Sequence, residues 1–363
     1  MSCINKISYQ IYKADKGTYL QMLDYLFAHI DVKQSVLRIV LFGEVSSNEA
    51  YICQLSLLRN KARLFFSNGL PVVTFVPQKP FDAKLVLEVH SYRSDENDLI
   101  EYKFYKDFPY VLLTNKYGKF LYAGGLHSTF NKDIYTQSED VFHMLKCILN
   151  HENFPISSII RQWNYIDHIT AFNNRGSQHY QMFNNARSRF YLTDTWQNGY
   201  PAATGIGTLG GGVIVDVDAV IVNDSSFSII PIDNRLQVAA HTYSSSVLEK
   251  ADTGKATPKF ERAKSLNIND TRIIYVSGTA AIRGEQSCPE ADVVNQLHIT
   301  FENIYQLIGS ASIKLLRVYL KSEDYYNKVY NILSKRKDFY ISYLLADVCR
   351  DELLIEIEGI ACK

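Results

Sequence analysis

The constraint that most narrows how this chain can fold is a repeat inside it. The stretch 118-GKFLYAGGL-126 reads as a strand ending in small residues, and 271-TRIIYVSGT-279 repeats the form, with Tyr122 leading AGG and Tyr275 leading VSG. Each is followed by an amphipathic helix. Val141, Phe142, Leu145, Ile148 and Leu149 recur at helical spacing in the first copy, and Leu297, Phe301, Ile304, Leu307 and Ile308 do so in the second. A strand, a second helical stretch (178–192 and 323–335) and a closing strand pair complete each copy. In the closing strands 212-GVIVDVDAVIV-222 matches 352-ELLIEIEGIA-361, so Asp216 falls opposite Glu356 and Asp218 opposite Glu358. A chain that twice runs strand, helix, strand, helix, strand, strand is predicted to be α+β, built from related units that bury their faces on one another.

A degenerate third copy is expected at the N-terminus. There 70-LPVVTFVPQKPFDAKLVLEVHSY-92 shares with 200-YPAATGIGTLGGGVIVDVDAVIV-222 a proline, a threonine (Thr74 and Thr204) and a closing strand. The expected division is a degenerate N-terminal unit over 1–107, a middle unit over 108–245 and a C-terminal unit over 246–363. Polar links are expected at 93–98 and 244–259, the second rich in Ser, Gly and Pro.

Composition removes several classes of function. At 47% hydrophobic and 21% charged residues, with 25 Tyr and 19 Phe, the chain can offset the entropy of ordering its backbone. Lys plus Arg equals Asp plus Glu at 38 each, so no global field draws in nucleic acid or an anionic membrane, and any anion site must be local. The longest apolar runs are strand-length, short of a membrane helix. The N-terminus MSCINKISYQIYKADK lacks the form of a secretory signal, which makes a cytoplasmic location the expectation. Six cysteines without a CxxC pair, and no histidines at ligand spacing, point to neither disulfides nor a metal, and no cofactor is expected.

Two stretches carry candidate chemistry. On a strand, Glu352, Glu356 and Glu358 would share one face, opposite Leu353, Ile355 and Ile357. Alternation of this kind describes an ordinary half-solvated strand, whereas a carboxyl closed inside an apolar cleft would have its pKa raised and could act as a general acid. The segment 161-RQWNYIDHITAFNNRGSQHYQMFNNARSRF-190 combines Arg161, Arg175, Arg187 and Arg189 with Trp163 and Tyr165, a set suited either to carboxylate recognition or to a solvated corner. The run 205-GIGTLGGG-212 lacks the GKS/T ending of a P-loop and reads as a hairpin loop. Cys349, seven residues before Glu356, reads first as a packed thiol.

The C-terminal unit, with YVSGTA, LRVYL and the closing LLIEIEGIA, resembles the YjgF/RidA family of small trimeric proteins. Read in order, 161-RQWNYI-166, FNNAR at 183–187, 201-PAATGIG-207, 275-YVSGTAAI-282 and 346-ADVCRDELLIEIEG-359 narrow this, and residues 108–363 resemble the chorismatase family. That resemblance implies a single-chain pseudo-trimer of RidA-like, chorismate-mutase-like units. It also implies an activity: release of pyruvate from chorismate after protonation of the enolpyruvyl ether, leaving 3-hydroxybenzoate or a dihydroxycyclohexadienoate. The family's general acid falls on Glu356. Arg161 and Arg187, with Tyr165 beside them, fall in motifs that face the substrate carboxylates, and Arg350 and Lys321 are further cations nearby. Thr204, Ser277, Gly278 and Thr279 belong to stretches where small residues let the backbone approach the ligand. Cys349 matches the cysteine associated with the aromatic product. Ala263 matches the residue type of the water-capturing branch, and Arg283 and Glu285 depart from the family pattern. The expected partner is thus the small molecule chorismate, without nucleic acid or membrane, on a monomer or weak homo-oligomer. The other readings open at this point are a RidA-type imine or enamine deaminase and a non-catalytic small-anion-binding protein.

Overall fold

In the computed structural model, residues 3–223, 227–244, 256–288 and 292–363 are described. Among the described residues there are three large sheets and one two-stranded sheet. The first, in spatial order β1-β4-β2-β3, is formed by β1 (Ile7–Ala14), β2 (Ser35–Gly43), β3 (Val72–Val76) and β4 (Leu85–Tyr92), with α1 (Tyr19–Ala28) and α2 (Asn48–Phe65) in the connections. The second, β5-β6-β7-β10-β8-β9, comprises β5 (Leu99–Tyr105), β6 (Phe108–Asn115), β7 (Gly118–His127), β8 (Ile159–Asp167), β9 (Ala202–Thr208) and β10 (Val213–Val222), with α3 (Ile134–His151) and α4 (His179–Tyr191). The third, β11-β12-β13-β18-β16-β17, contains β11 (Phe227–Ile232), β12 (Ala263–Ile268), β13 (Thr271–Ala280), β16 (Ser312–Leu320), β17 (Tyr340–Leu345) and β18 (Ile355–Cys362). It also carries α5 (Val293–Ile308), α6 (Tyr326–Leu333) and a small hairpin of β14 (Ile282–Arg283) and β15 (Gln286–Ser287).

The same four-strand arrangement recurs as β1-β4-β2-β3, β7-β10-β8-β9 and β13-β18-β16-β17, with the outer pair parallel each time. The α+β fold of three related units is therefore present, and the N-terminal copy is shorter because it lacks the leading hairpin strands of the other two. Counted by sheet, the second unit starts at Leu99 and the third at Phe227, ahead of the boundaries at 108 and 246, because those leading strands pair within the sheets that follow them. Most of the link expected at 244–259 lies outside the described residues. One local expectation needs correction. Gly205 and Gly207 lie inside β9, and only the glycines at 210–212, all with positive φ, make the turn into β10.

Helix starts follow from side-chain caps: Thr18 in a capping box, and Ser47, Asp133 and Asp292 each accepting from the backbone three residues on. The amphipathic stripes read from sequence, such as Val141, Leu145 and Leu149 on α3 and Leu297, Ile304 and Ile308 on α5, are buried against their own sheets. The other sheet faces turn inward together. Tyr122 and Tyr275, which lead the repeated small-residue motifs, meet Tyr9 of β1 in one buried cluster drawn from all three sheets. Among the described residues no helix is long and apolar enough to cross a membrane.

Candidate active site

The three copies place an arginine at one equivalent position and an acid at another. In cross-strand register Arg38 faces His90, Arg161 faces Asp218 and Arg317 faces Glu358, and two residues earlier on the partner strands stand Glu88, Asp216 and Glu356. All of these but Glu356 enter a buried network that runs from unit to unit. Arg38 of the first unit donates to Asp218 at 2.6 Å, with Asp216 at 3.5 Å. Arg161 of the second unit pairs with Glu358 of the third. Arg317 of the third unit makes a fork to Glu88 of the first, at 2.6 and 2.9 Å. Trp163 lies at the hub, its ring 4.9, 4.6 and 5.4 Å from the guanidinium carbons of Arg38, Arg161 and Arg317. Guanidiniums suit such a place because they remain charged, fork onto carboxylates and stack on aromatic faces.

The three equivalent acids differ in what surrounds them. Asp216 accepts from the Thr74 hydroxyl at 2.8 and 2.9 Å and from the Gly125 amide at 2.7 Å. Burial raises its pKa, and Arg38, Gly125 and Thr74 oppose that rise. For Glu88, burial pushes the pKa up, but Arg317 and His90 outweigh it and hold the carboxyl well below the ordinary range. Glu356, 5% exposed, has no hydrogen-bond partner among the described residues. Burial and then the Glu358 charge push its pKa up to about 8, against the opposing pull of Arg262 and Arg161. It carries a proton at neutral pH.

Glu356 opens onto a cavity of about 310 Å³ at the seam between the second and third units. Tyr180, Asn184 and Arg187 of α4 and Gly205 of β9 form one wall, while Arg262, Gly278, Ala280 and Cys349 form the other. Gly278 is required there by space, since a Cβ would overlap the Glu356 carboxyl and stand 3.2 Å from Thr204 Cγ2. Arg187 is 1% exposed; its Nη2 donates to Asn184 Oδ1 at 2.6 Å, while its Nε has no hydrogen-bond partner among the described residues. Arg262 donates to the Val238 carbonyl, and Arg350 to the Glu285 carbonyl and the Ser287 hydroxyl, each at 3.0 Å. The Tyr243 ring lies 5.4 Å from each of those two guanidiniums. The site thus offers three cations, a protonated carboxyl and a thiol that burial pushes up to about 12. It can bind a small polyanion and deliver a proton to it.

Of the residues singled out in the sequence, Glu356, Arg187, Gly278, Cys349 and Arg350 line this one cavity. Arg161 and Tyr165 do not reach the cavity wall. Arg161 is turned into the central network, where its Nη2 also contacts the Thr204 hydroxyl at 2.7 Å, and the Tyr165 hydroxyl accepts from Arg317 at 2.7 Å. Thr204 links Arg161 to Glu358 below the cavity floor. Ser277 ties the seam, accepting from the Ala203 amide at 2.9 Å and donating to the Glu261 carbonyl at 2.6 Å, and Thr279 donates to the Ser277 carbonyl. Ala263 faces the core of the third unit, because neighbours at a strand start point to opposite sides and Arg262 takes the cavity side. Lys321 bonds to Asp351 instead, and Arg283 turns outward to Glu302. Glu352 lines the cavity mouth but precedes β18 in an exposed turn, so it does not share the buried strand face of Glu356 and Glu358.

Comparison with known proteins meets this geometry from outside. The family model described as "Chorismatase FkbO/Hyg5-like, N-terminal" matches residues 114–219. A 3-hydroxybenzoate synthase of Streptomyces hygroscopicus is 31% identical over 230 residues, a match spanning 58% of this chain and 65% of that protein. A chorismatase of Streptomyces rapamycinicus is 28% identical over 257 residues, covering 65% and 71%. A crystal structure of a chorismatase superposes with a TM-score of 0.72 at 20% identity, covering 98% of both chains, which establishes a shared fold across the whole molecule. The chain is therefore similar to chorismatases in sequence through its middle unit and in fold from end to end, and it leaves one of its three equivalent acids unpaired at a seam that opens onto a cavity.

Proposed function

We propose that the protein cleaves chorismate to pyruvate and 3-hydroxybenzoate. The observation that carries this reading is the isolation of Glu356: two of three equivalent acids are saturated by ion pairs or hydrogen bonds, and the third faces a cation-lined cavity in its protonated form. An enol ether is cleaved by adding a proton to its methylene carbon, which needs an undissociated acid and leaves an oxocarbenium ion. Glu356 supplies that proton and, once ionised, opposes the new positive charge across the cavity. Arg187, Arg262 and Arg350 supply the positive field for a substrate with two carboxylates, and Tyr180 and Phe260 provide flat apolar surface for its ring. Cys349 on the same wall, and the kinship with a 3-hydroxybenzoate synthase, favour the aromatic product, which forms without net uptake of water. The diene-diol route instead consumes one water. A single chain supplies both walls of the cavity, so a monomer suffices for the chemistry.

The test is release of pyruvate from chorismate by purified protein, with the ring product resolved by chromatography. Wild-type protein is expected to release pyruvate together with 3-hydroxybenzoate, and Glu356→Gln is expected to lose at least about a thousandfold in rate, in line with removal of a general acid. Equal rates for the two proteins would overturn the assignment.

A further inference from the structure

We infer that Glu358 is a positioning residue: its negative charge, fixed two residues along the same strand face, keeps the neighbouring Glu356 carboxyl in its proton-carrying form. The inference rests on the reading of Glu356 as the acid and concerns how that acid is set. Glu358 does not reach the cavity. Its Oε1 accepts from Arg317 at 3.1 Å and from the Tyr319 hydroxyl at 2.5 Å, and its Oε2 contacts Arg161 and the Thr204 hydroxyl. Donors from three strands of two units thus hold one carboxylate at 2% exposure. Four donors converge on this one side chain and fix its place beside Glu356.

Charged and titratable groups face Glu356 from every element packed against it. Glu358 lies on its own strand and Tyr319 directly across on β16; Arg161 and Thr204 come from β8 and β9; Arg187 and Tyr180 from α4; Arg262 from the segment ahead of β12; and Cys349, Arg350 and Glu352 from the segment ahead of β18. Three of those groups at the cavity are cationic and would favour an ionised Glu356. Glu358 is the buried anion that opposes them, and after burial itself it is the largest influence raising the Glu356 pKa. The same arginines that hold Glu358 are the members of the central network, so the ring that fastens the three units also fixes the charge that sets the acid.

The test is a pH titration of the carboxyl C=O infrared band in substrate-free protein, with the band assigned by its absence in Glu356→Gln. In Glu358→Gln, which keeps the shape and removes the charge, the midpoint should move down by about one pH unit, and the alkaline limb of kcat should move with it. Tyr319→Phe removes one donor from Glu358, leaves its charge less neutralised, and should move both upward. An unchanged midpoint in folded Glu358→Gln overturns the inference; should that variant not fold, a Tyr319→Phe midpoint that stays put or falls does the same. Pyruvate release with an unmoved Glu358→Gln midpoint would leave the activity standing and remove Glu358 from it. A shifted midpoint in a protein that never releases pyruvate would do the reverse.

Discussion

Replacing Glu356 by Gln should stabilise the protein above neutral pH while abolishing its activity. The pKa of about 8, against an ordinary 4.5, means the native state holds a proton that the unfolded chain has released between those values. For an acid whose folded pKa is raised, the favourable state is fully present below the unfolded pKa and is lost as pH climbs toward the folded one. Stability should therefore fall by about 1.4 kcal/mol per pH unit across this window, a total of about 5 kcal/mol by pH 8. That total is comparable with the whole stability of many domains. Gln fits the same space and carries no titrating proton. Urea midpoints for wild type and Glu356→Gln should coincide near pH 5 and separate progressively, with the variant more stable at pH 8. Comparing the two proteins cancels every other titrating group they share. Parallel curves from pH 5 to 8 would refute the raised pKa and, with it, the claim that the carboxyl waits in protonated form.

Two further outcomes follow from the geometry. Gly278→Ala should lose nearly all turnover while remaining folded, because its Cβ would overlap the Glu356 carboxyl; near-normal pyruvate release would mean that this carboxyl is placed elsewhere. Glu88→Gln leaves Arg317 buried without its main counter-charge and should cost about 3–5 kcal/mol, read as a drop in Tm, whereas a neutral effect would show that this ion pair does not fasten the first unit to the third.

The repeat was legible because strand and helix periodicities are local properties of sequence, and so was the correspondence of Asp216 with Glu356. The N-terminal copy was harder to read. Its closing strand LVLEVHSY carries His90 where the third unit has Glu358, so the acid pattern breaks at one member. The arginine ring could have been suspected from Arg38, Arg161 and Arg317, each set within an apolar strand, an expensive place for a charge unless partners wait across a seam. The expectation that Arg161 faces the ligand rests on the resemblance, and a motif match does not tell which side of its strand a residue faces. Ala263 is singled out by the resemblance alone, and its neighbour Arg262 is the residue that lines the cavity. Tyr180 and Asn184 on α4 carry no signal of their own, because their role arises only when another unit's strand is laid against the helix.

Joining three units in one chain changes the cost of chemistry at their seams. Identical subunits around a true three-fold axis must carry every residue in triplicate, so a buried acid without a partner would appear at all three junctions. At about 5 kcal/mol each near pH 8, that would amount to about 15 kcal/mol, the upper end of what folding stability usually provides. Concatenation removes that obligation. Here two junctions keep satisfied acids and serve as fasteners, so the molecule carries the penalty of a reactive group at one junction alone.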